Sequence, residues 1–182
     1  MPNINIMAPK NFRELEKMLE FAVNLNEPAV IRYPRGDVEA NDGAIQNKIV
    51  LGKSELLKPG KDVSIIAIGK MVEKASAVSR MLAKENIDAE IINVRFLKPL
   101  DKELILKSIR KTKRAVTIED NLLTGGLGTA ITKLVNEENG LNVKIKTFGY
   151  NDVFVQHGKP EELEKIHGLD AEAIANNVKF KI

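Results

Sequence analysis

The sequence predicts an α/β fold: a mostly parallel sheet covered by helices on both faces, preceded by a strand-helix-strand remnant of another α/β unit. Three observations carry that expectation. The short runs VSIIAI, AEIINV and AVTI are apolar at nearly every position, as strands covered on both faces are. Stretches of ten or more residues between them repeat their apolar positions at helical spacing. Turn residues, such as Pro59-Gly60 and the group Gly125, Gly126 and Gly128, mark the changes from one period to the other.

The first strand covers residues 4–8. Asn11 with Glu14 three residues later forms a capping-box pattern, and Phe12, Leu15, Leu19 and Ala22 then make one helical stripe. A second strand follows at 29–33. Two strands and a helix bury too little surface to fold alone, so residues 1–40 either add to the following sheet or are the tail of a domain with apolar faces partly uncovered, and periodicity does not decide between the two. The segment GDVEANDGAIQNK has two glycines and no periodicity, which places a linker at 41–48 and a second domain at 49–182.

Within that second domain, strands are expected at 48–51 and 63–68. Met71, Ala75, Val78 and Leu82 fall on one helical face. A strand at 89–94 precedes a helix capped by Asp101 and carrying Leu104, Ile105 and Ile109. Residues 115–118 form a buried strand. After the glycines comes a helix with Ile131, Leu134 and Val135, then a strand at 143–148. Two short helices close the chain, one opening at Pro160 with Glu161 and Glu162 in its first turn, the other behind Asp170.

Composition narrows the function. The chain has 182 residues, 43% hydrophobic and 29% charged, enough for a packed core. The absence of cysteine removes disulfides, thiolate catalysis and cysteine-ligated metals. The net charge of +3 comes from 28 basic and 25 acidic residues that are interleaved, with no basic arm and no Trp, so nucleic acid is not an expected partner. MPNINIMAPK lacks the apolar core of a secretory signal, and no window approaches the ~18 apolar residues of a membrane span. A cytoplasmic protein without a membrane partner is expected.

Three segments are candidates for chemistry. PAVIRYPRG ends a strand in two arginines, and Arg35 stands where ligands collect beyond the carboxyl ends of parallel strands. Its planar fork suits phosphate. On the residues alone, a solvated arginine paired with a carboxylate is the stronger reading. EDNLLTGGLGT joins a strand to a helix. It lacks the third glycine of a dinucleotide fingerprint, because Ile131 occupies that place, so a turn that packs helix closely on sheet fits better than a phosphate cradle. DVFVQHG carries His157, which suits bracing a loop; His167 suits the negative end of a helix. The chain contains no G-x-S-x-G, P-loop, H-E-x-x-H or EF-hand pattern.

Taken in order, MAPKNFRELEKML, PAVIRYPRG, IIAIGKMV, NVRFLKPLD, IEDNLLTGGLGTA, DVFVQHG and HGLDAEAI resemble the carboxyl-terminal third of the 1-deoxy-D-xylulose-5-phosphate synthase family, within the transketolase superfamily. The resemblance implies that residues 1–40 close a pyrimidine-binding domain and 49–182 form a transketolase C-terminal domain. It implies a thiamine diphosphate and magnesium enzyme, a homodimer, that joins pyruvate, with loss of CO2, to glyceraldehyde 3-phosphate on the route to isoprenoids, thiamine and pyridoxal phosphate. It also reverses the reading of Arg35, which matches the family's contact to the phosphate of glyceraldehyde 3-phosphate. Arg32 is the weaker candidate, with a structural role expected. No catalytic, cofactor-binding or metal residue of the family has a counterpart in this chain, so the chain alone is expected to be inactive and to hold neither thiamine diphosphate nor Mg2+. Two alternatives remain: an assembly and partner-docking module like that of 2-oxo acid dehydrogenase E1 subunits, and a small nucleotide binder using Gly126 and Gly128.

Overall fold

A computed structural model describes residues 2–34 and 48–179. The elements run β1 (Asn5–Met7), α1 (Phe12–Val23), β2 (Ala29–Ile31), β3 (Glu55–Lys58), β4 (Val63–Ala67), α2 (Met71–Ala83) and β5 (Ala89–Asn93). They continue as β6 (Phe96–Lys98), α3 (Lys102–Thr112), β7 (Arg114–Leu122), α4 (Leu127–Asn136), β8 (Lys144–Tyr150), α5 (Pro160–Ile166) and α6 (Ala171–Lys179).

The larger sheet has the order β3-β5-β4-β7-β8. β4, β5, β7 and β8 are parallel, and β3 lies antiparallel on one edge. Every residue of β4 and β5 is buried, which is why their sequences show no polar alternation. Successive β4 residues serve opposite faces. Ile65 packs with Met71, Ala75, Val78, Leu82, Ile174 and Val178 of α2 and α6. Ile66 packs with Ile105, Ile109, Leu127 and Ile131 of α3 and α4. Helices therefore cover both faces, as the sequence predicts. Ser64 hydrogen-bonds Thr112 at 2.8 Å and also meets Ser108, so the buried hydroxyls on the α3 face satisfy one another.

Two expected features change. Residues 48–51 are not a strand; the edge strand is Glu55–Lys58, because Gly52 at φ +66° turns the chain first. Ile49 instead fills a cluster with Met7, Met18 and Phe96. The α1 stripe also rotates: Glu14 and Met18 face inward, while Phe12, Leu19 and Val23 stay exposed.

The cause of that rotation is the contact between the two sheets. β1 pairs in parallel with β2 and antiparallel with β6, so β6, a three-residue strand that the apolar pattern does not announce, completes a second sheet of order β2-β1-β6. Arg95, at φ +56° between β5 and β6, lies 2% exposed beneath α1. Its Nε donates to Glu14 Oε1 at 2.7 Å, and its Nη2 lies 3.0 Å from Glu55 Oε2, a charge contact rather than an aligned hydrogen bond. Asn93 Nδ2 donates to Glu14 Oε1 at 3.1 Å. The Lys10 ammonium meets Glu55 and lies 3.6 Å from Glu14, and the Lys10 N–H donates to Glu14 Oε2 at 2.7 Å. Two buried carboxylates thus face the buried Arg95 guanidinium and the partly buried Lys10 ammonium. Burial alone would push the Glu55 carboxyl up, but the Lys10 hydrogen bond and the Arg95 charge hold it below its ordinary 4.5.

Arg95→Ala should cost about 3–5 kcal/mol in urea unfolding, since it strands two buried carboxylates. Arg110→Ala, whose partner Glu138 is at the surface, should cost less than about 1 kcal/mol. Because the folded-state pKa of Glu55 is lowered, its ionised form stabilises the fold above 4.5, and that contribution disappears as pH falls through the folded-state value. Urea midpoints of wild type and Glu55→Gln should therefore differ at pH 7 and converge in acid below 4.5. A gap that widens on acidification would contradict this sign.

Candidate functional site

In an open parallel sheet the crevice for ligands opens where neighbouring strands send their connections in opposite directions. Here that point lies between β4, which leads into α2 on one face, and β7, which leads toward α4 on the other. Gly69 follows β4 at φ +63°, a conformation that suits glycine. Lys70 comes next and reaches Asp120 of β7 at 3.1 Å and Glu164 of α5 at 3.6 Å. Lys74, one turn along α2, also pairs with Glu164. Burial would lower the Lys70 pKa, but the Asp120 hydrogen bond and charge outweigh it and raise it. Tyr150, at the end of β8, is pushed up by burial and then by Asp120, and its ring meets His167 edge-on at 5.1 Å between centroids.

The glycine turn next to this crevice is closed from inside. Glu119 Oε2 accepts the Leu127 N–H and Oε1 accepts the Gly128 N–H, each at 2.8 Å. A side-chain carboxylate therefore sits where an anion would meet the α4 N-terminus. Burial pushes the Glu119 carboxyl up, against the opposing pull of those N–H groups and of the Arg32 charge. The glycines serve this arrangement. A Cβ at Gly126 would lie 2.1 Å from Glu119 Oε2, and one at Gly128 would lie 2.6 Å from Thr147 Cγ2. The turn is a packing device, and nothing in it favours the nucleotide-binding alternative.

The sequence-derived candidates separate. Arg32 stands at the crevice: its backbone N–H donates to Met7 O at 2.9 Å and its Nη1 donates to Asp120 O at 2.5 Å. Arg35 lies outside the described residues. His157 sits in an exposed loop beside Val153, Phe154 and Val155, which are exposed as well. His167 follows the last residue of α5, and its N–H donates to Leu163 O. Glu119, Asp120, Lys70 and Glu164 escape the sequence reading. The available signal was an acidic pair placed directly after the buried run AVTI and before a glycine turn.

The described residues do not fit a magnesium diphosphate cofactor. No group of three or more His, Asp or Glu gathers among them, and the α4 N-terminus is filled by Glu119. At the crevice, Arg32, Lys70 and Lys74 face Glu119, Asp120 and Glu164, so the charges balance. Among the described residues no helix is long and apolar enough to cross a membrane.

Residues 52–174 match the family described as "Transketolase, C-terminal domain". The 1-deoxy-D-xylulose-5-phosphate synthase of Clostridium tetani is 44% identical over 178 residues, which cover 98% of this chain and 28% of that protein. The synthase of Halothermothrix orenii is 45% identical over 177 residues, covering 96% and 28%. The chain thus spans less than a third of these relatives and corresponds to their carboxyl-terminal part. A solved structure described as "Split gene transketolase, inactive beta4 tetramer" superposes with a TM-score of 0.87 at 30% identity, covering 98% of this chain and 58% of that one.

Gly128→Ala should destabilise the chain by about 1–3 kcal/mol, because the added methyl overpacks Thr147. Calorimetric titration with ATP or NAD should return no saturable heat. A saturable isotherm would show that Glu119 can be displaced from the turn.

Proposed function

The chain belongs to the transketolase C-terminal domain family, and from that premise we propose that it is the carboxyl-terminal portion of a thiamine-diphosphate-dependent 1-deoxy-D-xylulose-5-phosphate synthase. In that reaction pyruvate loses CO2 and its remaining two carbons join glyceraldehyde 3-phosphate. One observation carries the proposal: identity of 44–45% extends over 96–98% of the chain and so includes the strand-helix-strand segment outside the matched domain. A shared C-terminal domain alone would not require that.

In this reading residues 1–40 close a pyrimidine-binding domain, 41–48 are a linker and 49–182 are the C-terminal domain. The larger sheet, β3-β5-β4-β7-β8, lies wholly within 49–182, while β6 of that portion crosses the division to pair with β1. Thiamine diphosphate with magnesium provides the electron sink for decarboxylation and is held by parts of the enzyme other than these residues. The chain supplies the substrate-phosphate contact, Arg35, on the segment that leaves β2. It also supplies the scaffold that fixes β2, since the buried charges around Arg95 join α1 to β3 and β5. The exposed α1 residues Phe12, Leu19 and Val23 support a further covering domain. The complete enzyme is a cytoplasmic homodimer.

In the complete enzyme, Arg35→Ala should raise KM for glyceraldehyde 3-phosphate by roughly tenfold or more, the worth of a charge-assisted phosphate contact of about 1.5–3 kcal/mol, while KM for pyruvate stays nearly constant. Equal changes for both substrates would remove the phosphate role. The isolated chain, given thiamine diphosphate, magnesium and pyruvate, should release no CO2. Turnover by the isolated chain would refute the division of labour.

A further inference from the structure

Arg32 is exposed, and an exposed arginine in a loop is ordinarily mobile and solvated. Here both ends of the residue are held. Its backbone N–H extends the β1–β2 ladder by bonding Met7 O at 2.9 Å. Its guanidinium crosses 88 positions of sequence to the Asp120 carbonyl at 2.5 Å, and Nη2 lies 4.0 Å from where a Cβ would stand on Gly69. Those contacts fall on the two strand ends, β4 and β7, that border the crevice of the larger sheet. The Glu119 carboxylate is close enough to feel the same charge. A single side chain from the smaller sheet therefore ends at the mouth of the larger one.

We infer that Arg32 is a positioning residue that fixes the carboxyl end of β2 against the mouth between β4 and β7 through the Asp120 carbonyl. A guanidinium suits this: one N–H engages the carbonyl while the positive charge complements the neighbouring carboxylate. Lysine reaches a single point and lacks the fork. The kinetic consequence rests on the proposed phosphate role of Arg35, because the segment that carries Arg35 begins at this anchored point.

The test has two arms. On the chain itself, hydrogen exchange of the amides at 29–32 should quicken about fivefold or more in Arg32→Ala, with partial recovery in Arg32→Lys and no change in Arg114→Ala. Unchanged exchange in Arg32→Ala overturns the anchor. In the complete enzyme, Arg32→Ala should raise KM for glyceraldehyde 3-phosphate about five- to tenfold with kcat little altered, but less than about twofold when Arg35→Ala is already present, the coupling expected of residues acting as one unit. The same factor in both backgrounds would make Arg32 an independent substrate contact and overturn the positioning role. If Arg35→Ala alone leaves that KM unchanged, the phosphate reading has failed, and the exchange arm still decides the anchor.

Discussion

Removing two carboxylates and the Arg95 guanidinium from water, with Lys10 partly buried beside them, is the constraint on which the rest of the structure depends. Glu14, Glu55, Lys10 and Arg95 compensate one another around Asn93, and none can be withdrawn without leaving a neighbour uncompensated. The four charged side chains come from the turn before α1, from α1 itself, from β3 and from the β5–β6 bend. Satisfying them fixes how the first strand-helix-strand unit meets the larger sheet. It also explains why α1 turns Glu14 inward in place of Phe12 and Leu19, and why Arg95 holds a positive φ that a residue with a Cβ seldom adopts.

A further buried carboxylate, Glu119, settles the glycine turn. By entering the α4 N-terminus, Glu119 satisfies two N–H groups that would otherwise face a ligand or water. A glycine-rich strand-to-helix turn is thus compatible with two opposite outcomes, an external phosphate or an internal acid. The distances of 2.1 and 2.6 Å from the hypothetical Cβ atoms at Gly126 and Gly128 explain both glycines without any ligand. The crevice beside it behaves similarly, with Lys70 and Lys74 neutralised by Asp120 and Glu164. Among the described residues, the charged groups at the crevice and at the glycine turn are thus directed at one another.

Local sequence was sufficient wherever one periodicity ruled a segment. β4, β5 and the AVTI run of β7 are buried on both faces because helices cover both, and α2, α3, α4 and α6 follow their 3.6-residue stripes, with caps at Asp101 and Asp170. Edge strand β3 and the three-residue β6 were not legible, since ELLK is half exposed and FLK is too short to show a period. Arg32 and Arg35 were legible as a pair at a strand end, but which of them meets the larger sheet depends on a backbone carbonyl 88 residues away.

The linear chain thus determined the fold class, the succession of helices and strands, and the family motifs, because each is written in neighbouring residues. Tertiary structure alone decided the inward face of α1, the third strand of the smaller sheet, the internal capping of α4 by Glu119 and the anchoring of Arg32. Each of these pairs a polar or charged group with a partner distant in sequence, and the free energy of burying a charge depends on that partner rather than on the residue's own neighbours.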